Sequence, residues 1–230
     1  MSTPGEQQVH TFSTTFPSGT INTRYLLYLP RAYDAQPEKR WPFILFLHGA
    51  GERGNNPALV ASQGLPKLLR DQRDFPFIVL SPQCVSGSYW HTDTLATMLA
   101  EAMGEYRIDT ERIYLTGLSL GGFGTWAMAI AHPQRFAAIA PICGGGDPNA
   151  VCRIKHVPVW TFHGARDTIV PIESTERMVD ALKKCGARCS SRSTRRRVMI
   201  RGRKPMPISS STIGFSSGDA AKRIFHHEQQ

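Results

Sequence analysis

Short apolar runs, separated by turn residues and by amphipathic stretches, dominate residues 1–188 of this chain. A β-rich segment over residues 11–29, interrupted by Pro17-Ser18-Gly19, predicts a hairpin. Apolar runs predict buried parallel strands at residues 43–47, 77–80, 113–115, 137–140 and 159–162. Apolar positions at helical spacing lie between them, at residues 65–73, 95–106, 122–131 and 172–185. This alternation predicts an α/β fold, a mostly parallel sheet flanked by helices.

The composition fits one large globular domain. The chain has 230 residues, of which 41% are hydrophobic and 20% are charged, and this excludes wholesale disorder. No apolar run approaches the roughly 20 residues that span a bilayer, and Met1–Glu6 lacks the basic and apolar segments of a secretory signal. We therefore expect a cytoplasmic protein with no membrane span. Its five cysteines are odd in number and lack C-x-x-C spacing, so we expect free thiols and no zinc site.

The net charge of +9 is concentrated in the C-terminal part of the chain. Residues 1–188 carry 18 basic and 16 acidic side chains, whereas residues 189–230 carry 9 basic and 2 acidic ones. A domain that binds nucleic acid carries its basic residues on a folded face. Here the basic residues lie in a tail that is rich in Arg and Ser and has little apolar periodicity. We therefore expect no nucleic-acid partner, and we divide the chain into a domain at residues 1–188 and an atypical tail at residues 189–230.

The sequence Gly117-Leu118-Ser119-Leu120-Gly121 follows a predicted strand and precedes a predicted helix. This is the context that the G-x-S-x-G motif requires, because a sharp turn there exposes the serine oxygen and flanking glycines avoid collisions at the bend. Ser119 is therefore the candidate nucleophile. A bare G-x-S-x-G in an ordinary loop is the alternative that the flanking elements argue against.

A serine that attacks a carbonyl needs N–H donors for the oxyanion that forms. The glycine-rich segment at residues 48–54 follows a predicted buried strand, and we assign the donors as the amides of Ala50 and Leu120. A phosphate cradle is the competing interpretation, but the G-x-x-x-x-G-K-[ST] pattern is absent. His48 fits a structural residue of this loop.

A candidate acid, Asp167, lies in the loop after the strand predicted at residues 159–162. The order serine, acid, histidine along the chain is the one found in α/β-hydrolases, where the acid orients the histidine. The alternative is that Asp167 caps the helix predicted from Ile172 onward.

Four separated segments, at residues 48–54, 117–122, 141–147 and 162–171, together resemble the small bacterial phospholipase/carboxylesterase group of α/β-hydrolases, which is related to dienelactone hydrolases. The segment at residues 81–90 is similar to that group's pocket loop, which implies that Tyr89 and Trp90 line the substrate pocket. The resemblance implies a serine hydrolase that cleaves small-molecule carboxylic esters without a metal or an organic cofactor. A peptidase of the same fold and a catalytically inactive hydrolase-fold protein are the alternatives.

The general-base histidine is missing where the resemblance places it, roughly thirty residues after the acid. His226 and His227 alone follow Asp167. Rereading the tail in a shifted frame necessarily turns the codons of Met199 and Ile200 into Asp, and permitted codon choices add a histidine beside it. Our hypothesis is that the chain is frameshifted from about Cys189, which predicts a missing final strand and helix and weak or no esterase activity. An authentic, disordered, basic tail is the alternative.

Overall fold

A computed structural model describes residues 3–187 and 189–194. The strands are β1 (Gln7–Phe16), β2 (Gly19–Tyr28), β3 (Trp41–Leu47), β4 (Ile78–Pro82), β5 (Ile108–Leu118), β6 (Ala138–Ile142), β7 (Val159–Gly164) and β8 (Cys189–Thr194). The α-helices are α1 (Pro57–Val60), α2 (Gly64–Asp71), α3 (Thr92–Glu105), α4 (Leu120–Ala131) and α5 (Glu173–Lys184), and two 3-10 helices are η1 (Ala50–Glu52) and η2 (Val151–Ile154). The predicted hairpin is β1–β2, and the five predicted buried strands fall within or overlap β3 to β7. The expected α/β architecture is confirmed.

The eight strands form one sheet in the order β1-β2-β4-β3-β5-β6-β7-β8. Strand β2 pairs antiparallel with β1 and β4, and the strands from β4 to β8 are mutually parallel. The carboxyl ends of parallel strands lie at one edge of a sheet. Loops that follow β3, β5, β6 and β7 therefore meet there, and β5 is the central neighbour of both β3 and β6.

Helices cover both faces of the sheet, and alternate residues of β3 contribute to the two resulting cores. All seven residues of β3 are buried. Phe43, Leu45 and Leu47 pack with apolar residues of α3, α4 and α5, whereas Ile44 and Phe46 pack with those of α2 on the opposite face. This division follows from the two-residue period of a strand. Within the described residues, no helix is long and apolar enough to cross a bilayer.

Strand β8 corrects part of the expectation for the C-terminal region. Residues 189–194 pair in parallel with β7, from Val159 opposite Cys189 to Gly164 opposite Thr194. The expectation of a missing final strand is therefore wrong for these residues. Their polar sequence did not predict a strand, but a parallel ladder is made by backbone groups and can accept Ser and Thr at a sheet edge. The expected loss of the closing helix concerns residues outside the described ranges.

Two cysteines form a disulfide that the sequence did not predict. Cys152 in η2 is bonded to Cys185 at the end of α5, with a Cα–Cα distance of 5.7 Å. The expectation of free thiols is wrong for this pair, whereas Cys84, Cys143 and Cys189 are free. The two bonded cysteines are 33 residues apart in the chain. Their proximity comes from the packing of α5 against η2, which no local spacing reveals.

Candidate active site

Ser119 occupies a sharp turn between the end of β5 and the first residue of α4. Its backbone has φ 55° and ψ −113°, a conformation that costs a non-glycine residue roughly 1–3 kcal/mol. The Ser119 N–H donates to the carbonyl oxygen of Ile142 at 2.9 Å, and the Ser119 carbonyl accepts from the N–H of Phe123 at 3.0 Å. Strand β6 and helix α4 therefore hold the turn, in the strand–turn–helix context expected of a nucleophile.

The glycines around Ser119 are required by close backbone approach. A Cβ on Gly121 would collide with the backbone of Leu47 in β3, and one on Gly117 would collide with the backbone of Gly121. A Cβ on Gly122 would likewise meet the carbonyl of Ile142. These positions pack α4 directly onto β3 and β6, so the motif glycines fix where the serine stands.

The loop after β3 lies directly against Ser119. A Cβ built on Gly49 would stand 3.8 Å from the Cβ of Ser119 and 3.5 Å from the carbonyl oxygen of Leu118. Ala50 follows as the first residue of η1, and Leu120 is the first residue of α4. The structure thus brings the backbone around Ala50 and Leu120 close to Ser119, and the N-terminal end of α4 adds a positive electrostatic potential. Their role as oxyanion donors stays a prediction.

His48 is buried in this loop and is used in internal hydrogen bonds. Its Nδ1 lies 2.6 Å from the carbonyl oxygen of Gly49, and its Nε2 lies 3.0 Å from the backbone N of Cys84. Its ring packs edge-on against Trp90, with ring centroids 4.8 Å apart. Burial lowers the pKa of His48 to about 4, more than the Gly49 carbonyl raises it, so the ring is neutral near pH 7.

Charged side chains brace the same loop. The Glu52 carboxylate accepts hydrogen bonds from the N–H groups of Gly49 and of Glu52 itself, and burial nevertheless raises its pKa. Arg53 Nε donates to the carbonyl oxygen of Ala50 at 3.1 Å, and Arg53 Nη1 donates to that of Ser88 at 3.1 Å. The loop is therefore tied to itself and to the segment that follows β4.

Asp167 lies three residues after the end of β7, and its side chain is only 2% exposed. Its Oδ1 accepts the N–H groups of Ile169 at 2.9 Å and Val170 at 3.1 Å. Its Oδ2 is buried without a hydrogen-bond partner among the residues that the structure describes. The N-cap of α5 is Ile172, so the alternative of a helix cap at Asp167 is wrong. Buried carboxylate oxygens without a partner are rare, because burial removes their hydration and no hydrogen bond replaces it. Such an oxygen marks a place where a donor is needed.

Within the described part of the chain, His163 lies near this carboxylate. Its Nε2 is 3.9 Å from Asp167 Oδ2, beyond hydrogen-bond range. The same nitrogen is 2.8 Å from the carbonyl oxygen of Val170, and its Nδ1 is 2.7 Å from Thr175 Oγ1. His163 is therefore engaged in holding the acid loop to α5. His226 and His227, the candidates for a base in the tail, lie outside the described residues.

Cys143 is a site residue that the sequence analysis did not single out. It follows β6, the strand between β5 and β7, and it is buried with φ 40°. Burial raises the pKa of its thiol to about 12; the Ser119 N–H opposes this shift and the Asp167 carboxylate adds to it. Cys143 thus lies between the candidate nucleophile and the candidate acid. Its position after an apolar strand and before Gly144 was the available signal.

Tyr89 and Trp90, in the segment between β4 and α3, line a cavity of about 150 Å³. Further lining residues come from β2, from the segment after β4 and from α3, and they include Ile21, Thr23, Val85, Leu95 and Met98. Trp90 lines this cavity and also contacts the His48 ring, and its Nε1 donates to the His48 carbonyl oxygen at 3.3 Å. Tyr89 is 71% exposed and forms part of the rim.

Comparison with known proteins identifies relatives of the same chemical class. The model of the Esterase family, described as "Putative esterase", matches residues 20–168. A poly(3-hydroxyoctanoate) depolymerase of Pseudomonas fluorescens is 26% identical over 214 residues, covering 78% of this chain and 75% of its own length. A bifunctional acetylxylan esterase/xylanase of Neocallimastix patriciarum is 29% identical over 142 residues, covering 59% of this chain.

Among solved structures, that of a thermostable esterase superposes with a TM-score of 0.68 at 34% identity over 80% of this chain. The chain spans 20% of the bifunctional enzyme and 54% of the thermostable esterase. Together with the sheet and the Ser119 turn, these matches confirm the expected α/β-hydrolase fold and the resemblance to an esterase family.

Proposed function

Because the chain belongs to the Esterase family, we propose that it hydrolyses carboxylic esters through an acyl-enzyme formed on Ser119. The observation that carries this proposal is the strained backbone of Ser119 at the start of α4, against the Gly49 backbone. Strain of this kind persists where the surrounding structure enforces it, and here it is found at a serine whose neighbouring backbone includes the two candidate amide donors. We propose no metal and no organic cofactor for the reaction.

In the proposed reaction, Ser119 Oγ attacks the ester carbonyl carbon while its proton passes to a histidine nitrogen. The carbonyl oxygen becomes an oxyanion that accepts hydrogen bonds from the amides of Ala50 and Leu120. The alcohol then leaves with the proton from the histidine. Water attacks the acyl-enzyme by the same route and releases the carboxylic acid and free Ser119. Asp167 Oδ2 accepts the second N–H of that histidine and stabilises the imidazolium.

An experiment must decide which group acts as the general base. We propose measuring hydrolysis of p-nitrophenyl acetate by the full chain, by Ser119→Ala and by a His226→Ala/His227→Ala double variant, each with and without added imidazole. Loss of activity in the double variant, restored by imidazole, assigns the base to the tail. A low parent rate that imidazole raises, and that depends on Ser119, indicates a built serine site without its own base.

The negative outcome of this experiment is equally defined. If imidazole produces no Ser119-dependent turnover, and a fluorophosphonate probe does not label Ser119 in folded protein, the proposed function is wrong and an inactive hydrolase-fold protein remains. A peptidase is distinguished by comparing p-nitrophenyl acetate with the matched p-nitroanilide. Because p-nitrophenyl esters are intrinsically more reactive than p-nitroanilides, each rate is divided by the uncatalysed rate in buffer, and this rate enhancement must be larger for the ester for the proposal to stand.

We propose that the cavity lined by Tyr89 and Trp90 binds an apolar group of the ester. Strand β4 is two strand spacings, about 10 Å, from β5, so the group must be separated from the reacting carbonyl by several bonds. A volume near 150 Å³ matches one aromatic ring or a short branched chain. The substrate class is therefore a small-molecule ester with a distal apolar group.

A filled cavity tests this specificity. Ile21→Trp, on the cavity wall, should lower kcat/KM for p-nitrophenyl 4-phenylbutyrate by about tenfold relative to p-nitrophenyl acetate, because the apolar contact is lost. The control is Asn22→Trp, because its exposed side chain projects from the other side of β2. If the ratio of the two kcat/KM values is unchanged in Ile21→Trp, the cavity is not part of the substrate site.

We place the hydrolase domain at residues 3–194, extending the expected boundary of residue 188 to include β8, and propose no nucleic-acid partner.

The cytoplasmic location that we predicted requires Cys152 and Cys185 to be thiols in the cell, whereas a disulfide between them is typical of an oxidising compartment. Alkylation of free thiols after acid quenching of expressing cells distinguishes these two locations. Alkylation of both cysteines supports the cytoplasm, and their protection supports an oxidising compartment.

A further inference from the structure

We infer that His48 is a positioning residue of the oxyanion hole, which sets the direction of the Ala50 N–H through the carbonyl of Gly49. This inference rests on the proposed function in one respect, namely that the Ala50 amide is a donor to the oxyanion. It gives a specific role in the reaction to a buried histidine that touches no substrate.

The hydrogen bonds of His48 determine its tautomer. The backbone N–H of Cys84 donates to Nε2 at 3.0 Å, so Nε2 is the unprotonated nitrogen. The proton of the neutral ring is then on Nδ1, which lies 2.6 Å from the carbonyl oxygen of Gly49 and donates to it. Burial lowers the pKa of His48 to about 4, so this neutral arrangement holds across the neutral pH range.

The bond to Gly49 controls Ala50 because the two residues share one peptide unit. The carbonyl of Gly49 and the N–H of Ala50 belong to the same planar, trans group and point in opposite directions. A donor that fixes the carbonyl oxygen on the His48 side therefore fixes the N–H on the other side. The same bond polarises the unit and strengthens the N–H as a donor.

The neighbouring peptide units are held as well, so the middle one cannot rotate freely. The preceding unit has its His48 carbonyl bound by Trp90 Nε1 at 3.3 Å and its Gly49 N–H bound by the Glu52 carboxylate. The following unit has its Ala50 carbonyl bound by Arg53 Nε at 3.1 Å. A Cβ built on Gly49 would lie 3.8 Å from the Cβ of Ser119, so the Gly49 backbone is near the nucleophile. This set of bonds aligns an amide beside the nucleophile before any substrate arrives.

Two substitutions separate positioning of Ala50 from simple bracing of the loop. In His48→Asn, the amide nitrogen takes the place of Nδ1 and can still donate to Gly49, but the acceptor for Cys84 is lost. In His48→Gln, the amide oxygen takes the place of Nε2 and can still accept from Cys84, but the donor to Gly49 is lost. A bracing role predicts that Gln is the milder change, whereas positioning predicts that Asn is.

We expect His48→Gln to lower kcat for Ser119-dependent hydrolysis of p-nitrophenyl acetate about 10-fold to 100-fold with little change in KM, since loss of an oxyanion donor acts on the transition state. His48→Asn should keep most of kcat. If the parent needs imidazole for activity, the parent and both variants are assayed at the same imidazole concentration. Equal losses in both variants, or a larger loss in Asn, would overturn the inference.

A second readout does not depend on turnover. In the full chain labelled with ¹⁵N, the Ala50 amide proton resonance should shift upfield in His48→Gln and stay near its parent position in His48→Asn. Long-range ¹H–¹⁵N spectra of the unsubstituted protein should show His48 protonated at Nδ1, and protonation at Nε2 would overturn the inference even if neither variant folds. Absence of Ser119-dependent activity in the parent counts against the proposed function, while the Ala50 and His48 resonances still decide the role of His48.

Discussion

The loops on the two sides of Ser119 hold their functional groups in different ways. On the β3 side, the peptide units around Ala50 are fixed by side chains of the same loop and of the segment after β4. On the β7 side, Asp167 has one oxygen bound by two backbone N–H groups and the other oxygen buried without a partner within the described residues. On the first side both ring nitrogens of His48 have hydrogen-bond partners, whereas on the second side one carboxylate oxygen of Asp167 has none within the described residues.

This difference follows from what each side contributes to the proposed reaction. An oxyanion hole needs only backbone amides in a fixed place, and a short loop can supply them. An acid acts through a histidine, so its second oxygen must be free of loop contacts and must face that side chain. The unpaired Asp167 Oδ2 therefore fits an acid prepared for a donor that the loop itself does not provide.

The largest effect that tests this comparison is expected from Asp167→Asn. The variant keeps Oδ1 for the Ile169 and Val170 N–H groups, so the loop should survive, but it presents an NH₂ donor where Oδ2 was. Where the general base of the parent is a histidine of the chain, we expect the Ser119-dependent kcat to fall roughly 10³-fold to 10⁴-fold, because that histidine is no longer held in its productive tautomer. The measurement is hydrolysis of p-nitrophenyl acetate beside a thermal unfolding curve.

The matched control is Asp147→Asn. Asp147 is an exposed turn residue whose Oδ1 accepts the N–H of Asn149, an interaction that asparagine preserves. Its rate should equal that of the parent. If Asp167→Asn also keeps the parent rate in a protein whose base has been assigned to the chain, Asp167 serves the loop alone and the proposed contrast between the two sides fails.

The turn that joins the two sides gives the next largest effect. In Gly121→Ala the new Cβ collides with the backbone of Leu47, which cannot move without displacing β3. We expect the free energy of unfolding to fall by about 3 kcal/mol or more, in the range of overpacked or strained core positions. Urea unfolding measures it, with Gly51→Ala as the control because no atom lies within 4 Å of a Cβ there. Similar stabilities of the two variants would show that the contact with β3 does not fix the turn.

Sequence patterns predicted the parts of the fold and site that depend on local chemistry. Apolar runs predicted β3 to β7 because strands buried on both faces must be apolar. Ser119 was predicted as the nucleophile from its strand–turn–helix context. The predicted parallel sheet placed its loop at the same edge as the loops that carry Ala50 and Asp167. Features that depend on distant parts of the chain were not predicted. The proton position on His48 depends on Cys84, 36 residues away, and β8 pairs through its backbone despite its polar side chains.

An effect of similar size concerns the bracing of the acid side. The Cys152–Cys185 disulfide fastens η2 to the end of α5, the helix whose Thr175 contacts His163. For a closed loop of 33 residues, its removal in Cys152→Ser/Cys185→Ser should lower the free energy of unfolding by about 3–4 kcal/mol. Cys189→Ser, at a free cysteine, is the control in urea unfolding. If dithiothreitol lowers the free energy of unfolding of the parent but not that of the double serine variant, the disulfide accounts for the loss. Equal free energies of unfolding for the parent and the double variant without dithiothreitol would contradict the prediction.

The smallest effect tests, through its dependence on pH, how His48 is held on the β3 side. Burial lowers the pKa of His48 from 6.5 to about 4, so between these values the unfolded chain binds a proton that the folded chain does not. The contribution is fully present above pH 6.5 and is lost as the pH falls to 4, a change of roughly 3 kcal/mol.

His48→Asn removes this dependence, so the difference in unfolding free energy between parent and variant should shrink by that amount from pH 7 to pH 4. Glu52, whose pKa burial raises, lies 4.0 Å from His48 and titrates in both proteins, as does His10, so their contributions largely cancel in the difference. Urea unfolding at pH 7, 6, 5 and 4 measures the difference. Parallel pH profiles would mean that His48 accepts a proton inside the fold without cost, and the hydrogen bond from the Cys84 N–H to a neutral Nε2 would then not be what holds this loop.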